Sequence, residues 1–324
     1  MHALTFIEEG VARVVEAPRP TIGPDEVLVA ARSVGVCHSD IDLLEGRYII
    51  PFTYPIIPGH EWSGEVVEVG ADVTSFSPGD RVVGECVIGD DHFGFSISGA
   101  AAEYFVAKAS WLHRLPDEVS YTNGALVEPF SVGYYALRAA GNVDASDVVV
   151  VMGAGPIGLA ATAAAAALGA ATVVAEPAEF RREVALSLGA VAAVHPDDLD
   201  AELERRAGGR GADVVIEASG QPAVMARALE IAGFRGRVTY VGIDVGRSAP
   251  AQLGLIQSKE LQIRGVIGSP GVWPATIRFL ARTGIDLSPL VTDRYSLIDA
   301  VDAIDDAHHP RPTTIKAHIE IPGS

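Results

Sequence analysis

Between Val148 and Ala175 the chain carries no charged residue, a run long enough to cross a bilayer. Its glycines argue for something else. Gly153, Gly155, Pro156 and Gly158 interrupt the run, and Gly169 interrupts it again. The pattern reads as a buried strand over Val148–Met152, a glycine turn, an alanine-rich helix and a second strand over Ala171–Ala175. Gly153-Ala154-Gly155-Pro156-Ile157-Gly158 therefore follows a strand and opens a helix, the setting in which such a turn binds a dinucleotide. The first glycine allows the tight turn, the second lets a pyrophosphate approach the backbone, and the third lets helix and strand pack closely. The helix N-terminus attracts the phosphates. Glu176 ends the next strand, where an acid meets the adenosine ribose hydroxyls and repels a 2′-phosphate. NAD is thus expected in preference to NADP. Arg181 and Arg182 follow, within reach of the ribose or phosphate, or else on a solvated helix face.

The rhythm continues past this unit. A helix is expected over Phe180–Leu188 up to Gly189, and strands over Val191–Val194, Asp213–Ile216, Arg237–Val241 and Leu261–Val266. Strands alternating with helices in this way specify a doubly wound parallel sheet of the α/β class. Residues 1 to about 135 have a different texture. Short strands at Glu26–Ala30, Gly64–Gly70, Arg81–Val83 and Ala102–Val106 are punctuated by Gly23-Pro24, Pro58-Gly59 and Pro78-Gly79-Asp80, which suits an irregular β-barrel. The stretch Thr314–Ile321 is expected to pair back with that first domain. The chain of 324 residues then divides into a catalytic domain over 1–135 and 290–324 and a nucleotide domain over 136–289.

Composition narrows the partners. Asp plus Glu number 42 against 24 Lys plus Arg, a net charge of −18, which disfavours phosphate backbones and anionic lipid. Neither nucleic acid nor membrane is expected as a partner. The two cysteines, Cys37 and Cys86, are too few for a disulfide framework. The first ten residues show no signal-peptide core, so a cytoplasmic setting is expected.

Cys37-His38-Ser39-Asp40, Gly59-His60-Glu61 and Glu128-Pro129-Phe130-Ser131 supply thiolate, imidazole and carboxylate, the donor types that zinc prefers. A lone cysteine or histidine here would be read as a packed side chain; the set together reads as a metal site. His92, His308 and His309 are expected at the surface, with bordering the pocket as the alternative for His92, and Cys86 is expected to be buried rather than reactive.

Gly59-His60-Glu61-Trp62-Ser63-Gly64, with Gly70 and Val73 behind it, resembles the signature of the zinc-dependent medium-chain dehydrogenases. Cys37, Ser39, Asp40 and Pro78-Gly79-Asp80-Arg81-Val82 reinforce the likeness, which with the glycine fingerprint covers essentially the whole chain. Val127–Val132, Glu176-Pro177, Leu188-Gly189-Ala190 and Glu217-Ala218-Ser219-Gly220 are similar to the sorbitol, threonine and aminocyclitol branch. The resemblance implies a GroES-like barrel beside a Rossmann domain and an NAD-linked enzyme that turns a secondary alcohol of polyol, sugar or cyclitol type into a ketone. It implies that Cys37, His60 and Glu61 hold zinc, with Glu128 either ligating it or hydrogen-bonding its water. Ser39 would carry the alcohol proton outward. Where many relatives have a histidine as the outer end of that relay this chain has Asp42, so the proton leaves through Asp42 or through water. The cofactor contacts carried over are Lys316 at the pyrophosphate and Val266 and Gly268 at the carboxamide. A homodimer or homotetramer is implied as well.

Relatives often carry a second, structural zinc in a lobe with four closely spaced cysteines. Here the corresponding segment, 84–101, contains Cys86 alone, so one catalytic zinc per chain is expected. A short loop of Gly89, Gly94 and Gly99 around Phe93 and Phe95 replaces the lobe and is expected to contact the substrate or a neighbouring subunit. Tyr48 and Trp62 are further candidates to shape the pocket. Two rivals remain on sequence alone: a zinc-free NADPH-dependent enone reductase of the same fold, and a dinucleotide-binding regulatory protein without turnover.

Overall fold

The computed structural model describes residues 1–322. Contacts divide the chain into two compact units. One comprises Met1–Glu128, Trp273–Gly284 and the chain from Val291 onward; the other comprises Pro129–Val272 and Ile285–Leu290.

In the second unit six strands form a single parallel sheet. Their order is Ala192–Val194, Ala171–Ala175, Val148–Met152, Ala212–Glu217, Ala232–Tyr240, Gln262–Gly265. Chain order reverses between Val148–Met152 and Ala212–Glu217, the kind of switch point outside which ligands bind in open α/β sheets. All five residues of Val148–Met152 are buried, so this strand reads as a continuous apolar run rather than an alternation. The helix Pro156–Ala167 begins at Gly155 with proline in its first turn and buries eight residues, mostly alanines, whose small size permits close approach to the sheet.

The first unit is built around one long strand, Glu26–Val36. Its first half pairs antiparallel with Tyr104–Lys108 and its last residues pair antiparallel with Lys316–Glu320, while Glu61–Val69 runs along its other side. The sheet continues outward through Arg81–Gly84 and Leu112–Arg114 on one flank and Val291–Ser296 on the other. The register sets Gly35 opposite both Glu61 and His318, and Val36 opposite Ala317. Leu4, Phe6, Val29, Val34, Ile41, Trp62 and Phe105 form the core of this unit, and Phe93 and Phe95 from the short loop are buried in it.

The sequence left two features unread. Tyr121–Ala125 and Val127–Ala139 are helices inside a region read as strands. The Ser120 side chain caps the first by accepting from the Asn123 N–H at 3.1 Å. The division falls between Glu128 and Pro129, in the first turn of the second helix, which the proline does not end. The helix Trp273–Thr283 belongs to the first unit by its contacts, with Trp273 stacked against His113 at 5.9 Å.

Candidate functional site

The helix His38–Leu44 starts at Cys37, and its first turn fixes that residue. The Cys37 N–H donates to Asp40 Oδ2 at 2.8 Å. The other oxygen of the same carboxylate, Oδ1, lies 3.4 Å from His60 Nδ1. One buried aspartate thus anchors the Cys37 backbone and faces the Nδ1 edge of the His60 imidazole, which leaves Nε2 as the ring nitrogen turned to a metal. Burial alone would lower the His60 pKa, but Asp40 and then Cys37 outweigh it and hold the ring well above its usual value. A divalent cation competes for that place, since it supplies the same positive charge to the same partners.

Donor atoms of Cys37, His60 and Glu61 all lie within 4.8 Å of one another. Zinc bonds of about 2.0–2.3 Å require donors at such mutual spacing, so the three residues fit one ion. Among the described residues this is the group of His, Cys, Asp and Glu side chains with that geometry. Glu61 has room because it faces Gly35: a Cβ there would collide with Glu61 Oε2.

Lys316, for which the resemblance implies a pyrophosphate contact, has a second partner that the sequence did not announce. It is buried in the first unit, where its Nζ donates to both carboxylate oxygens of Glu61, at 2.6 and 2.7 Å, and to the Val36 carbonyl at 3.3 Å. Burial would lower its pKa; Glu61, Cys37 and Glu128 raise it above its usual value. The lysine also changes the charge count at the metal position. Zinc with one thiolate and two carboxylates would be negative, but with Lys316 included the set is neutral and both carboxylates can stay ionised.

Glu128 stands outside the three-donor group. Desolvation and the nearby Glu61 charge push its pKa up, against His60 and Lys316, which pull it down. The Cys86 thiol donates to Glu128 Oε1 at 3.8 Å, and burial together with Glu128 pushes the thiol up to about 12. Cys86 is half-buried beside Glu128 and stays protonated, so it acts as a donor there.

Ser39 is half-buried and accepts from the Cys37 thiol at 3.8 Å. Asp42 is turned away from it. Its Oδ1 pairs with Arg47 at 3.0 Å, and among the described residues no hydrogen bond joins Asp42 to Ser39. The serine–aspartate relay is therefore not assembled, because a surface arginine five residues on claims the carboxylate.

In the second unit the glycine turn takes the expected shape. Gly153 has a φ of +97°, and a Cβ on Gly158 would collide with the Gly153 carbonyl oxygen. A Cβ on Gly155 would meet nothing, so the space a pyrophosphate needs lies open there. Pro156 and Ile157 follow, half-buried in the first helical turn. Glu176 is buried; it accepts the Ala154 N–H at 2.8 Å and the Ala178 N–H at 3.0 Å, which leaves carboxylate lone pairs for ligand hydroxyls. A cavity of about 530 Å³ is lined by Gly153, Gly155, Glu176, Arg181, Ser219 and Arg227, among others. Arg181 thus borders this space, whereas Arg182 donates to the carbonyls of Glu176 and Pro177. Val266 and Gly268 follow the last strand of the sheet, Val266 donating to the Tyr240 carbonyl at 2.9 Å and Gly268 adopting a φ of +60°. The residues present fit a dinucleotide.

Comparison with known proteins bears on both units. The alcohol dehydrogenase GroES-like domain matches residues 23–117, and the zinc-binding dehydrogenase domain matches residues 156–282. Sorbitol dehydrogenase of Bacillus subtilis is 33% identical over 320 residues, covering 91% of this chain and 90% of that protein. The chain belongs to the zinc-dependent medium-chain dehydrogenase family. The (R,R)-butanediol dehydrogenase of the same organism is 34% identical, covering 93% of this chain and 94% of that protein. The crystal structure of 2R,3R-butanediol dehydrogenase from Bacillus subtilis superposes with a TM-score of 0.89 at 31% identity, covering 99% of each chain. This dehydrogenase accordingly has the α/β architecture expected of it, with a GroES-like domain and a Rossmann domain.

Sequence reasoning missed several residues at the metal position. Asp40 was read as part of a motif, not as the tether of two ligands. Tyr48 was a pocket candidate without a place, and His92 was expected at the surface. Tyr48 Oη lies 3.1 Å from His92 Nδ1, and the Tyr48 ring stacks on Phe95 at 4.0 Å. No helix among the described residues is long and apolar enough to cross a membrane.

Proposed function

We propose that this dehydrogenase oxidises a secondary alcohol of polyol, sugar or cyclitol type to the ketone, using NAD and one zinc ion held by Cys37, His60 and Glu61. The observation that carries the reading is the convergence of those three donors within 4.8 Å, steadied by Asp40. When bound, zinc supplies a Lewis acid and NAD a hydride-accepting ring. The protein's own residues do the rest. Ser39 Oγ takes the alcohol proton and passes it to water, since Asp42 is engaged by Arg47. Lys316 Nζ holds Glu61 in place and offsets its charge. Glu128, oriented by the Cys86 thiol, supplies a fourth donor or holds water there. Glu176 receives the ribose hydroxyls beside the Gly153–Gly158 turn, with Arg181, Val266 and Gly268 completing the nucleotide contacts. The domain responsible for metal and substrate is the first unit, and the nucleotide domain is the second.

The names of the relatives support the substrate class, since two of them act on a polyol or a diol by their titles. A ligating Cys37 requires a reduced thiol, which supports a cytoplasmic setting. Self-association is supported by the strand Gln262–Gly265, an edge of its sheet with all four residues exposed, followed by the exposed Ile267. A zinc-loaded preparation screened for NADH formation over polyols, cyclitols, amino alcohols and simple secondary alcohols tests the activity. Turnover with at least one polyol-type alcohol is expected. Enone reduction with NADPH and no alcohol oxidation would overturn it.

A further inference from the structure

The loop that spans 84–101 is held by its own backbone. Phe93 N–H donates to the Cys86 carbonyl at 2.8 Å, Gly94 N–H to the Ile97 carbonyl at 2.9 Å, and Gly99 N–H to the Ile57 carbonyl at 2.7 Å. Phe93 and Phe95 anchor it in the core, at 1% and 2% exposure. Nothing in that scaffold needs the His92 side chain, yet the imidazole is half-buried and aimed at another element. Its Nδ1 meets Tyr48 Oη at 3.1 Å.

Tyr48 is fixed in turn. Its ring lies parallel to Phe95, at 4.0 Å and 2° between planes, and Phe95 lies against the His60 ring at 4.5 Å. A row of three rings, one pair stacked and the other tilted by 40°, therefore runs from a candidate metal ligand to a phenol. Burial pushes the Tyr48 hydroxyl up to about 12, and the charges of His60 and Asp40 also act on it, which sets it close to the candidate metal position. The stack is apolar along its length and ends in a polar pair that is neither buried in the core nor freely solvated.

We propose that Tyr48, positioned by His92, reads a second hydroxyl of the substrate and so selects polyols over simple alcohols. The pair suits a hydroxyl ligand chemically. If Tyr48 donates to His92 Nδ1, its oxygen accepts from the substrate; if His92 donates, the phenol proton points outward to a substrate oxygen. A hydroxyl group can meet either arrangement, whereas a hydrocarbon leaves the pair unsatisfied, and specificity follows from that mismatch. Tyr48 is no more than two ring spacings from His60, which sets its hydroxyl on the side of the candidate metal position where the rest of a polyol would extend from its reacting carbinol. Tyr48 is thus the specificity-determining residue and His92 its positioning residue. This inference rests on the alcohol dehydrogenase reading above.

The test uses the zinc-loaded, full-length enzyme with NAD and three substrates: butan-2-ol, butane-2,3-diol and a four-carbon tetritol. The readout is the ratio of kcat/KM for each polyol to that for butan-2-ol. Tyr48→Phe keeps the ring stack and removes the hydroxyl, and it is expected to lower the ratio about tenfold, the worth of one good hydrogen bond. The loss should appear mainly in KM for the polyol. His92→Ala is expected to lower the ratio by a smaller factor, and His92→Gln, which retains an acceptor, to restore part of it. A ratio unchanged by Tyr48→Phe overturns the inference, because a merely structural role would depress all three substrates alike. Failure of the wild-type enzyme to oxidise any alcohol would instead overturn the parent reading and this one with it. Circular dichroism of each variant checks that the fold is intact; if Tyr48→Phe unfolds, the His92→Ala and His92→Gln ratios decide the matter alone.

Discussion

Lys316 and Glu61, 255 residues apart in the chain, form a buried ion pair in which one ammonium spans both oxygens of one carboxylate. Glu61 is 1% exposed and Lys316 is 4% exposed as side chains, so neither charge has water to fall back on. The pair is made possible by sheet register, since the strand Glu26–Val36 accepts Glu61–Val69 on one side and Lys316–Glu320 on the other.

Breaking that pair should be costly. Lys316→Met leaves a buried carboxylate alone and is expected to destabilise the zinc-free protein by about 3–5 kcal/mol. The double variant Lys316→Met with Glu61→Gln should recover most of the loss, because no unpaired charge remains. Urea unfolding of the two variants and the parent measures both effects. A loss below about 1 kcal/mol for the single variant would show that water reaches Glu61.

Metal and nucleotide should separate by mutation. Cys37→Ser and His60→Ala are each expected to abolish zinc retention and turnover. NADH binding should survive in both, because the Gly153–Gly158 turn and Glu176 lie in a different unit. Plasma emission spectrometry on dialysed protein and NADH fluorescence titration provide the two readings. Full activity of Cys37→Ser after metal stripping would remove zinc from the mechanism. A zinc to chain ratio near one is expected for the parent, from its single three-donor cluster among the described residues.

Cofactor preference should depend on one carboxylate. Glu176→Ala removes the acceptor for the ribose hydroxyls and is expected to reduce kcat/KM for NAD about ten- to a hundredfold while lowering the barrier to NADP. Because Glu176 also accepts the Ala154 N–H, part of the loss belongs to a loosened turn. Glu176→Gln separates the two, since its amide oxygen can still accept from Ala154. A parent enzyme that favours NADP would defeat the assignment.

Acid should weaken the first unit through His318. This side chain is fully buried, with Nδ1 2.9 Å from Ser33 Oγ. Burial, and then the positive charges of Lys316 and Arg294, hold its pKa well below the usual value. Below about pH 6.5 an unfolded chain binds a proton that the folded chain refuses. Stability is therefore full above that pH and declines as pH falls, with a slope of up to about 1.4 kcal/mol per pH unit from this group. His318→Gln should flatten the decline between pH 6.5 and 5. Urea midpoints of the zinc-loaded protein across that range test it, and equal slopes for both proteins would exclude His318 as the cause.

The parallel sheet was legible because its evidence is local. Val148–Met152 and Ala171–Ala175 are apolar runs bounded by glycine, and both strands begin and end where the pattern places them. The glycine turn was legible for the same reason. The candidate donors were legible by residue type, since Cys37, His60 and Glu61 sit in a motif with few other uses, and the fold brings their donor atoms within 4.8 Å of one another. What the sequence concealed is what depends on register and on distant partners. Nothing near Lys316 announces that it will meet Glu61, so its charge suggested a phosphate. Asp42 occupies a relay position in the motif, but Arg47 captures it, and that competition is visible only in three dimensions. His92 looks like a surface residue beside Asp90 and Asp91; the buried anchors Phe93 and Phe95 turn it inward to Tyr48.

The hub strand Glu26–Val36 also dictates an order of events during synthesis. The part of its second edge over Ser33–Val36 is filled by Lys316–Glu320, so the growing polypeptide carries that short unsatisfied β-edge through the making of nearly everything that follows. The nucleotide unit is translated in the meantime, and domains generally fold as units during synthesis. The charge partner of Glu61 arrives only afterwards. A nascent chain that stops short of residue 316 is therefore expected to lack the ammonium that offsets Glu61 at the candidate metal position.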